Sequence, residues 1–198
     1  RMDRRTQVGF TLYELLITVL VIGVILTFAV PNMQGFARNS RMTSTANDMH
    51  AAFHLARSES SRAKTNITIC PSADAASCGG TWDQGYIVFV DDDGDLTVDG
   101  GTETVLRSHG AIAEGVSLAI ADDATYFSYS STGLGRPNVA GNTAISQVVM
   151  CDERGNGVGP GGNSAARLFV VTPLGRATIL RDIDMIDDAL TNMNKTCP

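Results

Sequence analysis

The amino-acid sequence predicts an α+β protein with one long N-terminal helix followed by a domain built of short strands. Residues 10–30 form an apolar run that contains a single carboxylate. Apolar residues then recur at helical spacing to about residue 56, and beyond Lys64 short β-type runs alternate with turns rich in glycine and aspartate. A chain of 198 residues is long enough for such a domain to bury a hydrophobic core.

The N-terminal helix is predicted to extend from about Phe10 to Lys64, a length of roughly 80 Å at about 1.5 Å per residue. Pro31 and Gly35 follow the apolar run and predict a kink or local melting there. Beyond them an apolar stripe, together with Phe36, is expected to pack on the strands rather than in a coiled coil. This helix stripe comprises Met42, Ala46, Met49, Phe53 and Ala56.

Eight runs after the helix have β-type composition and are bounded by turn residues. The run Tyr86–Val90 is apolar throughout, which favours a strand in the interior of a sheet. The segment Gly155–Gly162 is too rich in glycine for a regular element and is expected to be a mobile loop. The predicted strands are Asn66–Cys70, Tyr86–Val90, Glu103–Arg107, Ser117–Ile120, Tyr126–Tyr129, Ser146–Cys151, Arg167–Val171 and Arg176–Arg181.

The distribution of charge indicates an exported, acidic domain. Arg1, Arg4 and Arg5 precede the apolar run, and positive charge on that side favours a cytoplasmic N-terminus with the remainder exported. The net charge is −6, and removal of the first nine residues, which carry three arginines and one aspartate, would leave −8. Such a surface disfavours nucleic acid unless basic residues cluster locally.

All four cysteines lie beyond the apolar run, without a CxxC or histidine-rich pattern. Disulfides in an oxidising compartment therefore fit better than a metal site. Four cysteines allow three pairings. We favour Cys70 with Cys78, which closes a short loop, and by elimination Cys151 with Cys197, which would tie down the C-terminus.

Residues 9–16, GFTLYELL, place a glycine before the apolar run and one carboxylate inside it. A charge deep in a bilayer costs roughly 2.5–3.5 kcal/mol on insertion scales, so such a carboxylate usually has a function. The motif resembles the type IV prepilin signal, which implies that a prepilin peptidase cuts between Gly9 and Phe10, that Phe10 is methylated, and that Glu14 acts in subunit assembly. An ordinary single-span anchor explains neither the Gly9–Phe10 pair nor Glu14, and a secretory signal would be cut after its apolar core.

Two further segments resemble the FimT/FimU/GspH minor pilins and pseudopilins. They are Ile67–Asp91, with ITIC-(x7)-C and WxxGYIVFxD, and Arg167–Ala177, with RLFVVTPLGRA. The resemblance implies a β-sandwich-like head of two antiparallel sheets packed on the helix. It also implies a division into a leader (1–9), a transmembrane or filament-core half-helix (10–31), an amphipathic half-helix (32–64) and the head (65–198).

By the same resemblance the protein is expected to be a non-enzymatic minor pilin that inserts into a type IV pilus-type filament and supports its assembly. It would be a single-pass inner-membrane protein with a periplasmic head, later part of a pilus or pseudopilus. Its partners would be prepilin peptidase, the membrane, and other pilins or pseudopilins bound through the helix. The alternatives are a type II secretion pseudopilin for protein export and a DNA-binding pilin of natural transformation.

The acidic segment DDDGD at residues 91–95 is a candidate cation site. Ca²⁺ takes six to eight oxygen ligands, and Asp91, Asp93 and Asp95 around a glycine turn can supply several, with Asp99 and Glu103 close enough to contribute. The glycine position does not match an EF-hand loop. An exposed hairpin turn without a metal is the alternative, and no other cofactor is expected.

The segment Gly175-Arg176-Ala177-Thr178 is a candidate DNA contact by resemblance, since some FimT-like proteins bind DNA through a C-terminal G-R-x-R motif. Thr178 replaces the second arginine, and on a strand Arg181 would face the opposite side from Arg176. Four nearby aspartates, Asp182, Asp184, Asp187 and Asp188, would repel phosphate. The alternative is that Arg176 caps a tight turn before the last strand.

The sequence contains none of the catalytic motifs considered, G-x-S-x-G, H-E-x-x-H or a phosphate loop. His50 and His54 have the i, i+4 spacing that could bind a metal, but no third ligand is evident. We therefore expect both histidines at the interface between helix and head, in a protein that is not an enzyme.

Overall fold

The computed structural model describes residues 9–139, 141–159 and 161–197, apart from the side chains of Pro31 and Asn32. The chain divides into two compact units, Arg1–Asn39 and Ser40–Pro198. Helix α1 spans Leu12–Ala63. The elements that follow are β1 (Ile67–Pro71), β2 (Tyr86–Val90), β3 (Val105–His109), β4 (Ser117–Ile120), β5 (Phe127–Tyr129), β6 (Gly135–Arg136), β7 (Asn138–Val139), β8 (Asn142–Thr143), β9 (Gln147–Cys151), β10 (Arg167–Val171), β11 (Ala177–Leu180) and α2 (Ile183–Met193), with short 3₁₀ turns at Trp82–Gln84 and Ala121–Asp123.

Helix α1 begins with a side-chain cap and continues without interruption. The hydroxyl of Thr11 accepts a hydrogen bond from the backbone N–H of Glu14 at 3.3 Å, which satisfies one donor of the first turn. Helical structure runs through Pro31 and Gly35, so the prediction of local melting there is wrong, while the alternative of a kink stays a prediction. Proline removes a single backbone donor, and the hydrogen bonds of the flanking turns are sufficient to keep the helix intact.

The strands form two antiparallel sheets and a two-stranded ribbon. The five-stranded sheet has the order β3-β2-β1-β5-β6, the four-stranded sheet has the order β11-β10-β9-β4, and β7 pairs with β8. Each pairing between these strands is antiparallel. The predicted α+β class, a long helix with an antiparallel head, is confirmed, and Tyr86–Val90 lies in a sheet interior as predicted.

Strand boundaries agree closely with the pattern of the sequence. The strands β2, β4 and β10 coincide with their predicted ranges, while β1, β3, β5, β9 and β11 differ by one or two residues at their ends. The strands β6, β7 and β8 have no predicted counterpart, and each contains two residues. Pairs this short have no periodicity to detect, because alternation needs several residues.

Helix α2 also has no counterpart among the predicted elements. Asp182 caps it by accepting a hydrogen bond from the backbone N–H of Met185 at 3.0 Å. Its buried residues Ile186, Ala189 and Leu190 pack beside Val149 and Leu168 in a second, smaller hydrophobic cluster. The sequence does contain a helix pattern, a capping aspartate followed by apolar residues four, seven and eight positions later. The aspartates on the other face of the helix made this pattern hard to recognise.

The helix stripe forms the centre of the main core. All five of its side chains are at most 2% exposed. The ring of Phe53 lies 5.3 Å from that of Phe127 in the five-stranded sheet and 4.8 Å from that of Phe169 in the four-stranded sheet. The expectation for Phe36 is wrong, because this side chain is 73% exposed. Phe36 lies six positions before Met42, which turns it about 120° away from the stripe.

Candidate functional site

The residues predicted to act in processing and assembly lie in the first unit, and all are exposed. Phe10 is 82% exposed, and Gly9 and Glu14 are also exposed. From residue 12 to residue 30 each side chain is exposed except Ala29, which is intermediate. Among the described residues, α1 is the one helix long and apolar enough to cross a membrane. Cleavage, methylation and the role of Glu14 stay predictions.

The four cysteines form two disulfides, Cys70–Cys78 and Cys151–Cys197, with Cα atoms 5.5 Å apart in each. This is the pairing that the sequence favoured. Within the smaller loop, the carboxylate of Asp74 accepts hydrogen bonds from the hydroxyl and backbone N–H of Ser77, from the N–H of Ala76 and from the hydroxyl of Ser72. These bonds, led by that of the Ser77 hydroxyl, hold the pKa of Asp74 well below its usual range.

The acidic loop after β2 is organised by two buried carboxylates. Asp91 is fully buried and accepts a hydrogen bond from the hydroxyl of Thr68 at 2.5 Å. Glu103 is 7% exposed and accepts from the backbone N–H groups of Asp92, at 2.7 Å, and Asp99, at 3.0 Å. A buried carboxylate needs such donors, and these bonds supply them to both residues.

The same loop brings carboxylates into two sets that could hold a cation. Oxygens of Asp91, Asp93 and Glu103 lie within 4.8 Å of one another, as do oxygens of Asp93, Asp95 and Asp99. Asp93 is the member shared by both sets, so the structure does not gather the predicted trio of Asp91, Asp93 and Asp95 into one site. Carboxylate oxygens at this separation suit a hard cation such as Ca²⁺. Calcium binding stays a prediction.

Arg136 of β6 contacts this loop, and the sequence analysis did not single it out. Its Nη1 atom lies 3.9 Å from Asp91 Oδ2 and donates a hydrogen bond to the hydroxyl of Ser128 at 3.3 Å. A Cβ atom on Gly94 would lie 2.5 Å from Arg136 Nη2, so the guanidinium packs closely over the loop. Arg136 follows Asp91 by many residues and reaches it through sheet pairing, which no local pattern predicts.

Arg176 lies in an exposed turn between β10 and β11. Its backbone N–H donates to the hydroxyl of Thr172 at 3.2 Å, and its carbonyl accepts from the N–H of the same residue at 3.0 Å. The adjacent Gly175 has φ of +75°, and its carbonyl accepts hydrogen bonds from the hydroxyl of Tyr129 at 3.0 Å and from Arg57 Nη1 at 3.3 Å. Arg176 thus closes a turn that is hydrogen-bonded to Arg57 of α1, and the side chain of Arg176 is solvent-exposed.

Arg181, the second predicted DNA contact, lies at the other end of β11 from Arg176. The intervening strand Ala177–Leu180 separates the two guanidinium groups. The Nε atom of Arg181 is buried, and no acceptor among the described residues bonds it. Burial, followed by the charges of Arg181 and Arg154, lowers the pKa of Arg167 to about 10. The structure therefore does not bring the two predicted arginines together on one surface.

Of the two helix histidines, His50 lies against the head, as the sequence predicted, whereas His54 is exposed and contacts His50. His50 Nε2 is 3.3 Å from the carbonyl oxygen of Ala177, and His54 Nε2 is 3.2 Å from His50 Nε2. Burial, then the charges of His50 and Arg57, lowers the pKa of His54, which favours its neutral form. Within the described residues, no third metal-ligating side chain joins this pair.

Comparisons with known proteins identify a family model and several solved structures. The family model described as "Type II transport protein GspH" matches residues 45–175. The type IV minor pilin FimU of Pseudomonas aeruginosa is 15% identical, with 73% of this chain and 92% of that chain covered and a TM-score of 0.48. The minor pseudopilin EpsH from the Type 2 Secretion System of Vibrio cholerae is 9% identical, with 71% and 97% covered and a TM-score of 0.45. No curated protein sequence matches the chain.

Proposed function

The chain belongs to the GspH family of minor pilins and pseudopilins, and we propose that it inserts into a type IV pilus-type filament and supports its assembly without enzymatic activity. One observation carries this proposal. The first half of α1 exposes an apolar surface on all sides, whereas the helix stripe of the second half is buried in a folded head. A soluble protein rarely exposes such a continuous apolar surface unless it binds lipid or other proteins.

The proposed mechanism is insertion of the apolar half-helix into a bundle of neighbouring helices. Cleavage between Gly9 and Phe10 leaves a new cationic N-terminus four residues from Glu14. The chain waits in the inner membrane until the helix is extracted into the filament, where burial against other subunits replaces lipid contact. Glu14 then pairs with the N-terminus of an adjacent subunit, a contact that sets the register more than it adds stability.

A type II secretion pseudopilin is the second candidate, and a specific observation favours it. The family model that covers residues 45–175 carries a type II transport description. Both candidates use the same polymerisation step and differ in the machine that surrounds the filament. DNA uptake is the third candidate, for which Arg176 is the exposed cation; its separation from Arg181 counts against a composite phosphate-binding site.

The decisive experiment is deletion of the gene with complementation, read out in three assays on the same strains. Loss of surface pili, restored by the intact gene, is the result expected for a pilus subunit. Normal pili with defective export of folded proteins would indicate the secretion filament instead. Normal pili and export with reduced DNA uptake would indicate the third role, and Arg176→Ala would then be the variant to test.

Complementation with Glu14→Gln tests the assembly step directly. The substitution keeps the shape of the side chain and the cap of Thr11 but removes the charge. We expect normal amounts of protein in the membrane and at least a tenfold loss from purified filaments, a loss of about 1.4 kcal/mol or more in assembly. Glu59→Gln, on the same helix, removes only a partly exposed pair with Arg62 and serves as control. Normal incorporation of Glu14→Gln would contradict the mechanism.

A further inference from the structure

The edges of the five-stranded sheet are protected against further pairing. Edge strand β3 carries a register irregularity against β2, and its Arg107 lies 3.9 Å from Asp48 on α1. Edge strand β6 has two residues and is followed at once by Pro137. Charge, irregular register, short length and proline are the usual ways in which natural sheets prevent a further strand from adding.

The two edges of the four-stranded sheet differ from each other. At β11 the carbonyl of Ala177 lies 3.3 Å from His50 Nε2 of α1, so part of this edge is covered. At the opposite edge β4 has the sequence Ser-Leu-Ala-Ile, with no charge and no proline, and pairs with β9 in regular register. No other strand among the described residues pairs with β4. The outer row of backbone N–H and C=O groups of β4 therefore has no partner strand in the described part of the chain, and all four residues are partly exposed.

A cleft of about 570 Å³ runs beside β4. Its apolar lining includes Pro71, Trp82, Leu118, Ile120 and Ala124. Trp82 is 4% exposed, and its indole N–H donates to the carbonyl of Ala124 at 2.9 Å, which fixes the ring in the wall. An open strand edge next to a preformed apolar cleft is the arrangement used when an extended peptide adds to a sheet, with main-chain bonds for affinity and a pocket for alternate side chains.

The charges along the cleft indicate the chemistry of the occupant. Lys195 and Asp123 line the cleft and pair with each other, Nζ to Oδ1, at 2.8 Å. Asp83 also lines the cleft and is exposed, and its carboxylate accepts a hydrogen bond from the hydroxyl of Thr81 at 3.1 Å. No cationic side chain of the described residues pairs with Asp83. The cleft thus presents one carboxylate without a counter-ion.

We propose that β4 binds an extended segment of a partner protein as an additional strand, with apolar side chains in the cleft and a lysine or arginine beside Asp83. Main-chain hydrogen bonds to β4 fix the segment along the edge, and the alternation of a strand sends every second side chain towards the cleft. The cation supplies the charge that Asp83 lacks, and the exposed position of this carboxylate makes it a determinant of selectivity more than of affinity.

The test uses the full chain in lipid nanodiscs and short fluorescent peptides of alternating valine and threonine. One peptide ends in lysine, a second has glutamate in that place, and a third keeps the lysine but is N-methylated at alternate amides. We expect the lysine peptide to bind, the glutamate peptide to bind about fivefold more weakly, and the N-methylated peptide not to bind, because it cannot donate to a strand edge. Equal binding of the N-methylated peptide, or no binding of the lysine peptide, would overturn the proposal.

Charge reversal assigns the contact to Asp83. The variant Asp83→Lys should invert the preference so that the glutamate peptide binds better than the lysine peptide. Asp188→Lys makes the same change in net charge on the exposed face of α2 and should leave the original preference intact. If both variants had the same effect, the selectivity would result from the net charge of the protein, and the role of Asp83 would be overturned. Concentration-dependent dimers that the lysine peptide dissociates would identify a second copy of this chain as the occupant, and so overturn the assignment to a partner protein.

Discussion

The two halves of α1 share a secondary structure and differ in what covers them. Phe28, in the apolar half, is 70% exposed, whereas Phe53, in the second half, is 1% exposed. Both residues lie in one continuous helix, so helix formation does not explain the difference in their exposure. What differs is that two sheets provide a facing surface for Phe53, while no residue of the described chain covers Phe28 to a comparable extent.

The two halves gain the free energy of burial from different partners. Burial of one large apolar side chain stabilises a protein by about 1.5–3 kcal/mol. The helix stripe obtains this contribution within its own chain. Under the proposed function the apolar half obtains it from lipid or from other subunits, so its contribution would appear in membrane binding and filament assembly and not in the stability of the head.

The largest difference is expected between removal of a buried and removal of an exposed phenylalanine ring of α1. Phe53→Ala leaves a cavity between the two sheets and should lower the free energy of unfolding by about 3–5 kcal/mol. Phe36→Ala, on the same helix but 73% exposed, should change it by less than about 0.5 kcal/mol. Denaturant unfolding followed by the fluorescence of Trp82, the sole tryptophan and 4% exposed, reports on the head alone.

Phe36→Ala is also the control for this experiment. If Phe36→Ala destabilised the head as much as Phe53→Ala, the exposed ring would have to be part of the core, and the contrast between exposed and buried side chains of α1 would disappear.

Removal of each disulfide should destabilise the head to a different extent. The loop closed by Cys151–Cys197 spans 46 positions and that closed by Cys70–Cys78 spans 8. In the chain-entropy description these loops contribute about 4 and about 2.5 kcal/mol. Paired serine substitutions should therefore lower the unfolding midpoint more for Cys151–Cys197. The reverse order would mean that the small loop, with its bonded Asp74, contributes more than chain entropy.

Calcium should have the smallest effect on the head. A site of the strength found in extracellular modules would stabilise it by about 1–3 kcal/mol at about 10 mM Ca²⁺. After chelation, added Ca²⁺ should raise the thermal midpoint by a few degrees. Asp93→Asn, at the residue shared by both carboxylate sets, should abolish the rise, and Asp188→Asn on α2 should preserve it. An unchanged midpoint for the unsubstituted protein would rule out the calcium site.

Several features of the fold followed from local patterns. The helix stripe, the strand Tyr86–Val90 and the strand Ser117–Ile120 were identified because their side-chain spacing or composition matches the structure that they adopt. The candidate cation residues were identified only in part. Asp93 and Asp95 are neighbours in sequence and in space, but Glu103 and Arg136 complete the surroundings of Asp91 from other segments of the chain.

Helix α1, most strands, the acidic loop and the residues that form disulfides could be predicted from the sequence alone, because each depends on periodicity or composition over a few neighbouring positions. Which strand has an open edge is visible only in the folded arrangement of the strands. Ser117–Ile120 pairs on one side with residues 148–151 and on the other with nothing in the described chain. Strand order depends on pairing between residues far apart in sequence. A strand with the same four residues would show the same sequence pattern in the middle of a sheet.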